Sequence, residues 1–186
     1  FKEVFSPFET MQVLVYLREA PVYMPDVNML HVRDAQGREV RIAPLVNRIH
    51  DDKYFYSFNL PSVADGKYEL VVGPLKYVVN QTLQEVSFVH AFQVEDKGFA
   101  LQAQPAFLLA GPDLEIKVSN AGSTVDLSVQ TSPRIFHVYD RPQLLAASRS
   151  RYFSFSLRNK TIDGDMFLNF SHDAGFLYIP IFDRQI

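Results

Sequence analysis

Apolar and polar residues alternate at every second position along most of this chain, while the spacing of an amphipathic helix is hard to find in it. In the segment 113–118, for example, Leu114, Ile116 and Val118 alternate with charged residues. Side chains of a strand point alternately to its two faces, so this pattern is typical of strands with one buried and one wet face. The alternation therefore predicts an all-β protein.

Turn-forming residues separate the predicted strands at about the spacing found in β-sandwiches. Asp65-Gly66 is a hairpin-type turn, and the segment 34–37 is another turn that contains glycine. Pro180 predicts an edge position for the last strand, because proline cannot donate a ladder hydrogen bond. In the strand 85–94, alternation places Val86, Phe88, Phe92 and Val94 on one side. His90 shares that side, and we interpret it as a hydrogen-bonded core or edge histidine.

A short polar stretch at 95–98 marks a shift in composition near the middle of the chain. The length of 186 residues accommodates two domains of about 90–100 residues each. We therefore predict two tandem antiparallel β-sandwich domains, immunoglobulin-like or jelly-roll-like, over residues 1–96 and 97–186. The two halves show no exact sequence repeat, so they share at most a common arrangement of strands and turns.

Charge and cysteine content narrow the classes of function. A formal net charge of -3 with mixed signs gives no electrostatic reason to expect nucleic acid, which requires a basic face. The absence of cysteine excludes disulfides, zinc–thiolate sites and thiol nucleophiles. No stretch approaches the roughly 18 consecutive apolar residues of a membrane-spanning helix. Because the chain begins with Phe1 rather than Met, we expect it to belong to a longer protein that carries any catalytic centre elsewhere.

Asparagine-linked glycosylation sequons suggest the compartment. Three are present, at Asn80, Asn159 and Asn169, which is more than chance predicts for so few asparagines. Alternation places Asn169 on the wet face of its strand, and Asn159 lies beside a predicted turn. Both positions suit glycosylation, so we expect a secreted, cell-surface or secretory-lumen glycoprotein.

The segment 65–74, with the sequence D-G-K-Y-E-L-V-V-G-P, leads into the strand that ends at Val94. It resembles the late part of immunoglobulin-like and fibronectin-type-III-like modules, in which a "DG-x-Y-x-L-x-V" stretch enters the penultimate strand. The resemblance covers about 40 residues and implies a sandwich with a linking or binding role. It transfers no functional residue to this chain.

A second, thinner resemblance begins with the segments 5–9 and 32–40 and continues through 58–61 to Tyr68. In order it is similar to the β-domain of family 38 α-mannosidases, with Ser6 where that family usually has asparagine. The match ends after Val72. The catalytic and metal-binding residues of that family lie in a separate domain and have no counterpart here, so this resemblance implies an accessory part of such an enzyme.

No cofactor site or metal site emerges from the titratable residues. The five histidines lack the spacing of a zinc site. Asp163, Asp165 and Asp173 lie in two successive predicted turns, where carboxylates that converged could hold Ca²⁺ or act as the acid and base of a glycosidase. Three solvated turn carboxylates are the favoured interpretation. We predict no catalytic residues, and enzymatic activity within the chain stays uncertain.

Aromatic and basic residues give two further hypotheses. Tyr54, Phe55 and Tyr56 belong to a strongly aromatic strand whose faces alternate, so core packing explains most of it. The ring on the other face then needs cover, from a neighbouring domain or from a ligand such as a sugar ring. Five arginines make the second half locally basic, which suggests a solvated face or a patch for an acidic partner: Arg134, Arg141, Arg149, Arg151 and Arg158.

The sequence thus favours a non-catalytic, extracytoplasmic β-sandwich segment of a larger protein. Its expected role is to bind another protein or to position neighbouring domains of its own chain. The alternatives are an accessory β-domain of a glycoside hydrolase and a carbohydrate-binding module, for which a glycan would be the partner. No cofactor, nucleic acid or membrane span is expected.

Overall fold

A computed structural model describes residues 2–110, 113–132, 143–156, 166–172 and 175–182. The chain divides into two compact units. The first comprises Phe1–Pro7 and Met11–Asp96, and the second comprises Phe8–Thr10 and Lys97–Ile186. Within the described residues, no helix has the length and apolar character needed to cross a membrane.

The first unit contains eight strands in two sheets. A five-stranded sheet has the order β1-β8-β7-β3-β4, and a three-stranded sheet has the order β2-β6-β5. A short 3-10 helix, Val27–Met29, precedes β3. The strands are β1 (Val4–Phe5), β2 (Thr10–Tyr16), β3 (Leu30–Asp34), β4 (Glu39–Val40), β5 (Leu45–His50), β6 (Lys53–Asn59), β7 (Gly66–Val79) and β8 (Thr82–Val94).

The second unit also consists of a five-stranded sheet and a three-stranded sheet. Its larger sheet has the order β10-β16-β15-β12-β13, and its smaller sheet has the order β14-β11-β9. The strands are β9 (Leu101–Gln104), β10 (Leu108–Leu109), β11 (Asp113–Asn120), β12 (Val125–Ser132), β13 (Gln143–Leu145), β14 (Ser150–Ser156), β15 (Met166–His172) and β16 (Gly175–Phe182).

Both units have the strand order of immunoglobulin-like sandwiches, in which B and E share one sheet while C, F and G share the other. In the first unit, β2 and β6 correspond to B and E, and β3, β7 and β8 correspond to C, F and G. In each unit a two-residue strand also pairs in parallel with the last strand. This order selects the immunoglobulin-like fold from the two sandwich types that the sequence predicts.

Each sandwich encloses its own apolar core, supplied by the inward residues of the alternating strands. In the first unit Met11, Val32 and Tyr56 are fully buried. In the second unit the rings of Phe153 and Phe170 meet edge to face with their centroids 5.0 Å apart. Such pairs stabilise a core by about 1 kcal/mol beyond the area that they bury.

The D-G-x-Y pattern forms a tyrosine corner at the start of β7. The Tyr68 hydroxyl donates a 2.6 Å hydrogen bond to the carbonyl of Ala64, four residues upstream, as tyrosines at this corner of immunoglobulin-like domains do. Its ring stacks on Phe92 of β8 with the centroids 5.8 Å apart. Burial, followed by the charges of Asp34 and Asp65, raises the pKa of Tyr68.

Candidate interaction surface

The β7–β8 hairpin is built from strands of 14 and 13 residues. Strand β3 pairs with β7 only as far as Val72, whereas the hairpin continues to the turn at Asn80 and Gln81. Both turn residues adopt positive φ, of 50° and 65°. The outer half of the hairpin therefore extends beyond the strand that supports its inner half.

A β-bulge at Gly73 and Pro74 keeps this long hairpin attached to the core. The pairing shifts by one residue between Val72 and Leu75, so both side chains point inward and are 5% and 1% exposed. Gly73 has a φ of +141°, and a Cβ there would lie 2.6 Å from the Ser87 Oγ across the hairpin. Glycine is therefore required where β8 passes closest to the bulge.

Apolar side chains are exposed on both faces of the outer part of β8. Val86 and Phe88 are 40% and 57% exposed on one face, and Leu83 and Val89 are 55% and 58% exposed on the other. We call these four residues the β8 surface. Contiguous exposed apolar residues on a soluble domain are a recognised mark of an interaction site.

The sequence pattern placed Val86, Phe88 and His90 on the same side of this strand as Phe92 and Val94. The pairing register agrees that all five share one face, but the first three are exposed. The core of the first unit includes Phe92 and Val94 and does not extend to the others. The shared face is therefore as predicted, but it does not bury these three side chains, because burial needs an opposing layer as well as the right face.

The backbone of β8 presents an open edge. Strand β1 covers β8 only at Gln93 and Val94, and the Gln93 amide points away from β7 to donate to the carbonyl of Glu3 at 2.8 Å. Because backbone direction alternates along an antiparallel strand, the amides and carbonyls of Leu83, Glu85, Ser87, Val89 and Ala91 point to the same side. Within the described part of the chain, no strand pairs with them there.

Among the residues that the structure describes, this edge lacks the features with which soluble proteins usually protect an open strand. Those features are lysines, prolines, bulges in the edge strand itself, or a covering segment. Strand β8 contains no proline, and Glu85 is its only charged residue. The Glu85 carboxylate lies 3.6 Å from the Lys76 ammonium on the neighbouring strand. An apolar edge of this kind is a template for the addition of another strand.

The predicted glycosylation sites occupy different environments. Asn80 lies exposed at the tip of the β7–β8 hairpin. Asn169 lies in the middle of its sheet between Gln130 and Tyr178. It is half-buried, and its Oδ1 atom is enclosed without a hydrogen-bond partner among the described residues. Asn159 lies outside the described residues.

The three turn carboxylates considered as a possible cation site, Asp163, Asp165 and Asp173, lie outside the described residues. So do Arg134, Arg141 and Arg158. Arg149 is exposed and Arg151 is half-buried. The described parts of the chain contain no group of three histidine or acidic residues that could hold a metal ion.

The histidines within the described ranges are dispersed. His31 Nδ1 lies 2.7 Å from the Glu39 carboxylate. His50 has a buried Nδ1 without a partner among the described residues. His90 is exposed on β8.

The aromatic cluster that the sequence singled out is buried. Tyr54, Phe55 and Tyr56 are 5%, 2% and 0% exposed. The Tyr56 hydroxyl donates to the carbonyl of Asp26 at 2.7 Å, and burial raises the pKa of Tyr56 well above its ordinary value. None of the three presents a ring face to solvent, so their position agrees with the interpretation as packing residues.

A different aromatic group, which the sequence analysis did not single out, lies on the outer face of the second unit. Phe167 of β15 stacks on Tyr178 of β16 with the centroids 5.0 Å apart. Phe176 and Tyr178 are 41% and 39% exposed. The available signal was the alternation of these two residues with Leu177 and Ile179, which are buried.

Comparison with known proteins gives no family. No protein-family model matches the chain, and no curated protein does. Among solved structures, the BSP domain of a biofilm associated protein is 13% identical with a TM-score of 0.42, covering 100% of this chain and 29% of that one. Dimeric latent PorU from Porphyromonas gingivalis is 11% identical with a TM-score of 0.46, covering 99% and 19%. Tandem Ig repeats of Dlar are 10% identical with a TM-score of 0.39, covering 98% and 93%.

The chain therefore spans less than a third of the first two of these structures. All three likenesses have low identity and TM-scores below 0.5, so they carry no argument about partner, substrate or activity. The assignment of the immunoglobulin-like fold depends instead on the strand order and the tyrosine corner of this chain.

Proposed function

We propose that this chain is a non-catalytic binding segment, and that it binds protein by adding a strand to the open edge of β8. The observation that carries the proposal is the β8 surface, where apolar side chains on both faces flank backbone groups with which no strand of the described residues pairs. An incoming extended strand would satisfy the backbone groups and cover the side chains at once. A small-molecule reaction would use neither feature.

Photo-crosslinking in the source cells tests this proposal. A benzophenone amino acid replaces Phe88, which is 57% exposed, and in a matched control it replaces Tyr152, a 62% exposed aromatic residue of the second unit. We expect discrete protein adducts from position 88 that position 152 does not give. Equal adduct patterns from the two positions, or no protein adduct at position 88, would contradict a binding role for β8.

We also propose an extracytoplasmic location, supported by the exposed sequon at Asn80. Its position at the tip of a hairpin leaves the asparagine amide accessible to a glycosyltransferase, and a glycan there would project into solvent. Protein isolated from native secretory material should shift in size on glycosidase treatment. Unmodified protein from that material would contradict the compartment.

Carbohydrate binding is a second candidate function, favoured by the outer aromatic face of the second unit. Sugars stack on exposed aromatic rings, and Phe176 and Tyr178 provide such rings on the same sheet as Gln130. The half-buried ring of Phe167 stacks on Tyr178. A glycan array probed with the chain and with Tyr178→Ala tests it. Signal that the substitution removes supports this function, and absence of signal counts against it.

An accessory role in a glycoside hydrolase stays a prediction. The open reading frame of the full-length protein tests it, since a neighbouring α/β domain rich in aspartate and histidine would favour it. Further sandwich repeats would favour a scaffold.

A further inference from the structure

The side chains of the β8 edge are arranged with a symmetry that points to one occupant. On the face shared by the odd-numbered residues, the order along the strand is apolar Leu83, polar Glu85, polar Ser87 and apolar Val89. Followed from either end of the strand, the order is apolar, polar, polar, apolar. The midpoint of this order is Val86, which lies between Glu85 and Ser87 in the chain and points to the other face.

An antiparallel pair of two identical strands has a two-fold axis, so a strand whose pattern is symmetric about a residue matches itself. With the axis at Val86, Leu83 of one copy lies opposite Val89 of the other, and Glu85 lies opposite Ser87. Apolar residues then meet apolar residues, and the carboxylate meets a hydroxyl that can donate to it. On the other face, Val86 meets Val86 of the second copy.

Backbone geometry agrees with this register. The amides and carbonyls that point away from β7 belong to the odd-numbered residues, as the bond from Gln93 to Glu3 shows. An axis at Val86 pairs odd-numbered residues with odd-numbered residues, so both strands offer these groups at the same places. Four such pairs would form about eight new backbone hydrogen bonds.

Charge favours the same occupant. A second β8 strand brings only one charged residue, and this register does not place Glu85 opposite Glu85. Like charges directly opposite each other destabilise a strand pair, and here that penalty is absent.

We propose that the partner of the β8 edge is a second copy of this chain, joined by antiparallel β8–β8 pairing with its two-fold axis at Val86. This inference rests on the proposed binding function of β8 and names its partner. The two five-stranded sheets become one continuous ten-stranded sheet. Edge pairing over this length is at the low end of interface sizes, so the dimer is reversible.

Disulfide trapping tests the register directly, because the chain contains no cysteine. In this register residue 86 of each copy forms a non-hydrogen-bonded pair, whose Cα atoms are about 4.5 Å apart; this lies within the range that a disulfide bridges. We expect Val86→Cys to form a covalent dimer under mild oxidation. In Gln84→Cys and Phe88→Cys the two sulfurs lie about four residues apart along the strands, roughly 14 Å, so neither variant crosslinks by itself.

A mixture of Gln84→Cys and Phe88→Cys chains should crosslink, because these two positions face each other across the axis. Covalent dimers confined to Val86→Cys and to this mixture support the proposal. Dimers of Gln84→Cys or Phe88→Cys chains by themselves, or equal trapping in all the variants, overturn it.

Sedimentation velocity of the unmodified chain gives a second readout. We expect a monomer–dimer equilibrium that Val86→Lys shifts to monomer by at least about tenfold in Kd, because two ammonium groups then meet at the axis. An equimolar mixture of Val86→Lys and Val86→Glu chains should restore the dimer. The control Val78→Lys makes the same change on β7, where the side chain is 64% exposed, and should leave the equilibrium unchanged.

A chain that stays monomeric up to millimolar concentration overturns the self-pairing. So does a dimer that Val86→Lys does not weaken. If position 88 crosslinks to a different protein and not to a second copy, self-pairing fails while the proposed binding function of β8 stands. If position 88 gives no protein adduct, both fail.

Discussion

The larger sheets of the two units share one strand order, but the units differ in how the edge of their last strand is protected. In the first unit, β8 has 13 residues and its open edge contains no proline. In the second unit, β16 has eight residues and contains Pro180, which has no amide hydrogen and discourages the addition of another strand. The edge of the last strand is thus protected in the second unit and left open in the first.

The hairpins that end in these strands differ in the same way. Strands β15 and β16 pair in an unbroken register from His172–Gly175 to Met166–Ile181, whereas β7 carries a bulge and continues well past it. A sandwich core needs only a hairpin as short as β15–β16, as the second unit shows. The extension of β7 and β8 is therefore an addition to the fold, and additions that expose apolar surface are where binding is expected.

The largest expected effect tests whether a buried aromatic ring contributes equally to the stability of each of the two cores. Tyr56 of β6 and Phe153 of β14 occupy corresponding strands and are both 0% exposed. Substitution of either by alanine should lower the free energy of unfolding of its own unit by about 3–5 kcal/mol. Urea unfolding followed by far-ultraviolet circular dichroism measures this, and a loss below about 1 kcal/mol at either position would break the equivalence.

The bulge at Gly73 sharpens the contrast between the hairpins, because the described pairing of β15 with β16 contains no bulge. Gly73→Ala combines backbone strain with a contact of 2.6 Å to the Ser87 Oγ, so we expect a loss of about 2–3 kcal/mol. Gly66→Ala is the matched control. Its φ is +147° but nothing lies within 4 Å of the added Cβ, so strain by itself should cost about 1 kcal/mol. Equal losses in thermal unfolding would show that the close approach to Ser87 is unimportant.

The tyrosine corner of the first unit gives a smaller expected effect. Tyr68→Phe removes the hydrogen bond to Ala64 and should cost about 1 kcal/mol. The pKa of Tyr68 is raised in the folded state, so the unfolded chain releases this proton first as pH rises. The stabilising contribution is therefore complete below about pH 10, the ordinary tyrosine pKa, and is lost as pH rises through the folded value.

Urea unfolding between pH 8 and 11 measures this trend in the chain and in Tyr68→Phe. Buried Tyr56 adds to the fall in the same direction, since its pKa is also raised. The decline should therefore be shallower, but still present, in Tyr68→Phe. A stability that rises with pH over this range would contradict the sign.

The two sequons on corresponding hairpins, Asn80 and Asn169, should differ clearly in glycosylation. Substitution of either asparagine should have the smallest effect on stability. Expressed through a eukaryotic secretory pathway, the chain should carry a glycan at exposed Asn80 and none at Asn169, whose amide oxygen is enclosed. Asn80→Gln should therefore remove a glycosidase-sensitive mass that Asn169→Gln leaves in place. Intact-mass measurement decides, and a glycan on Asn169 would show that the centre of this sheet is more accessible than its packing indicates.

Much of the fold follows from alternation along the chain. The strand 85–94 and the inward set of Leu114, Ile116 and Val118 agree with the observed β8 and β11. The D-G-x-Y pattern indicated an immunoglobulin-like strand entry, and Tyr68 makes the corresponding hydrogen bond. Local patterns of this kind are predictable because they depend on neighbours within a few residues.

The two-residue strands β1 and β10 and the order of the sheets were beyond prediction, since a parallel pairing of two residues leaves no local pattern. The bulge at Gly73 was equally hidden, although it explains why Val72 and Leu75 both face inward. The outer aromatic face of the second unit gives a weaker sequence signal than the richer cluster at Tyr54–Tyr56, which the structure buries.

The sequence by itself determined which residues of each strand share a face, because side chains of an extended backbone must alternate. Only the tertiary structure decided which of those faces is covered. Phe88 and Phe92 share a face of β8, yet they are 57% and 4% exposed, because the core packs against one end of the strand and not the other. The β8 surface lies where the apolar positions of the strand continue beyond the residues that pack against the core.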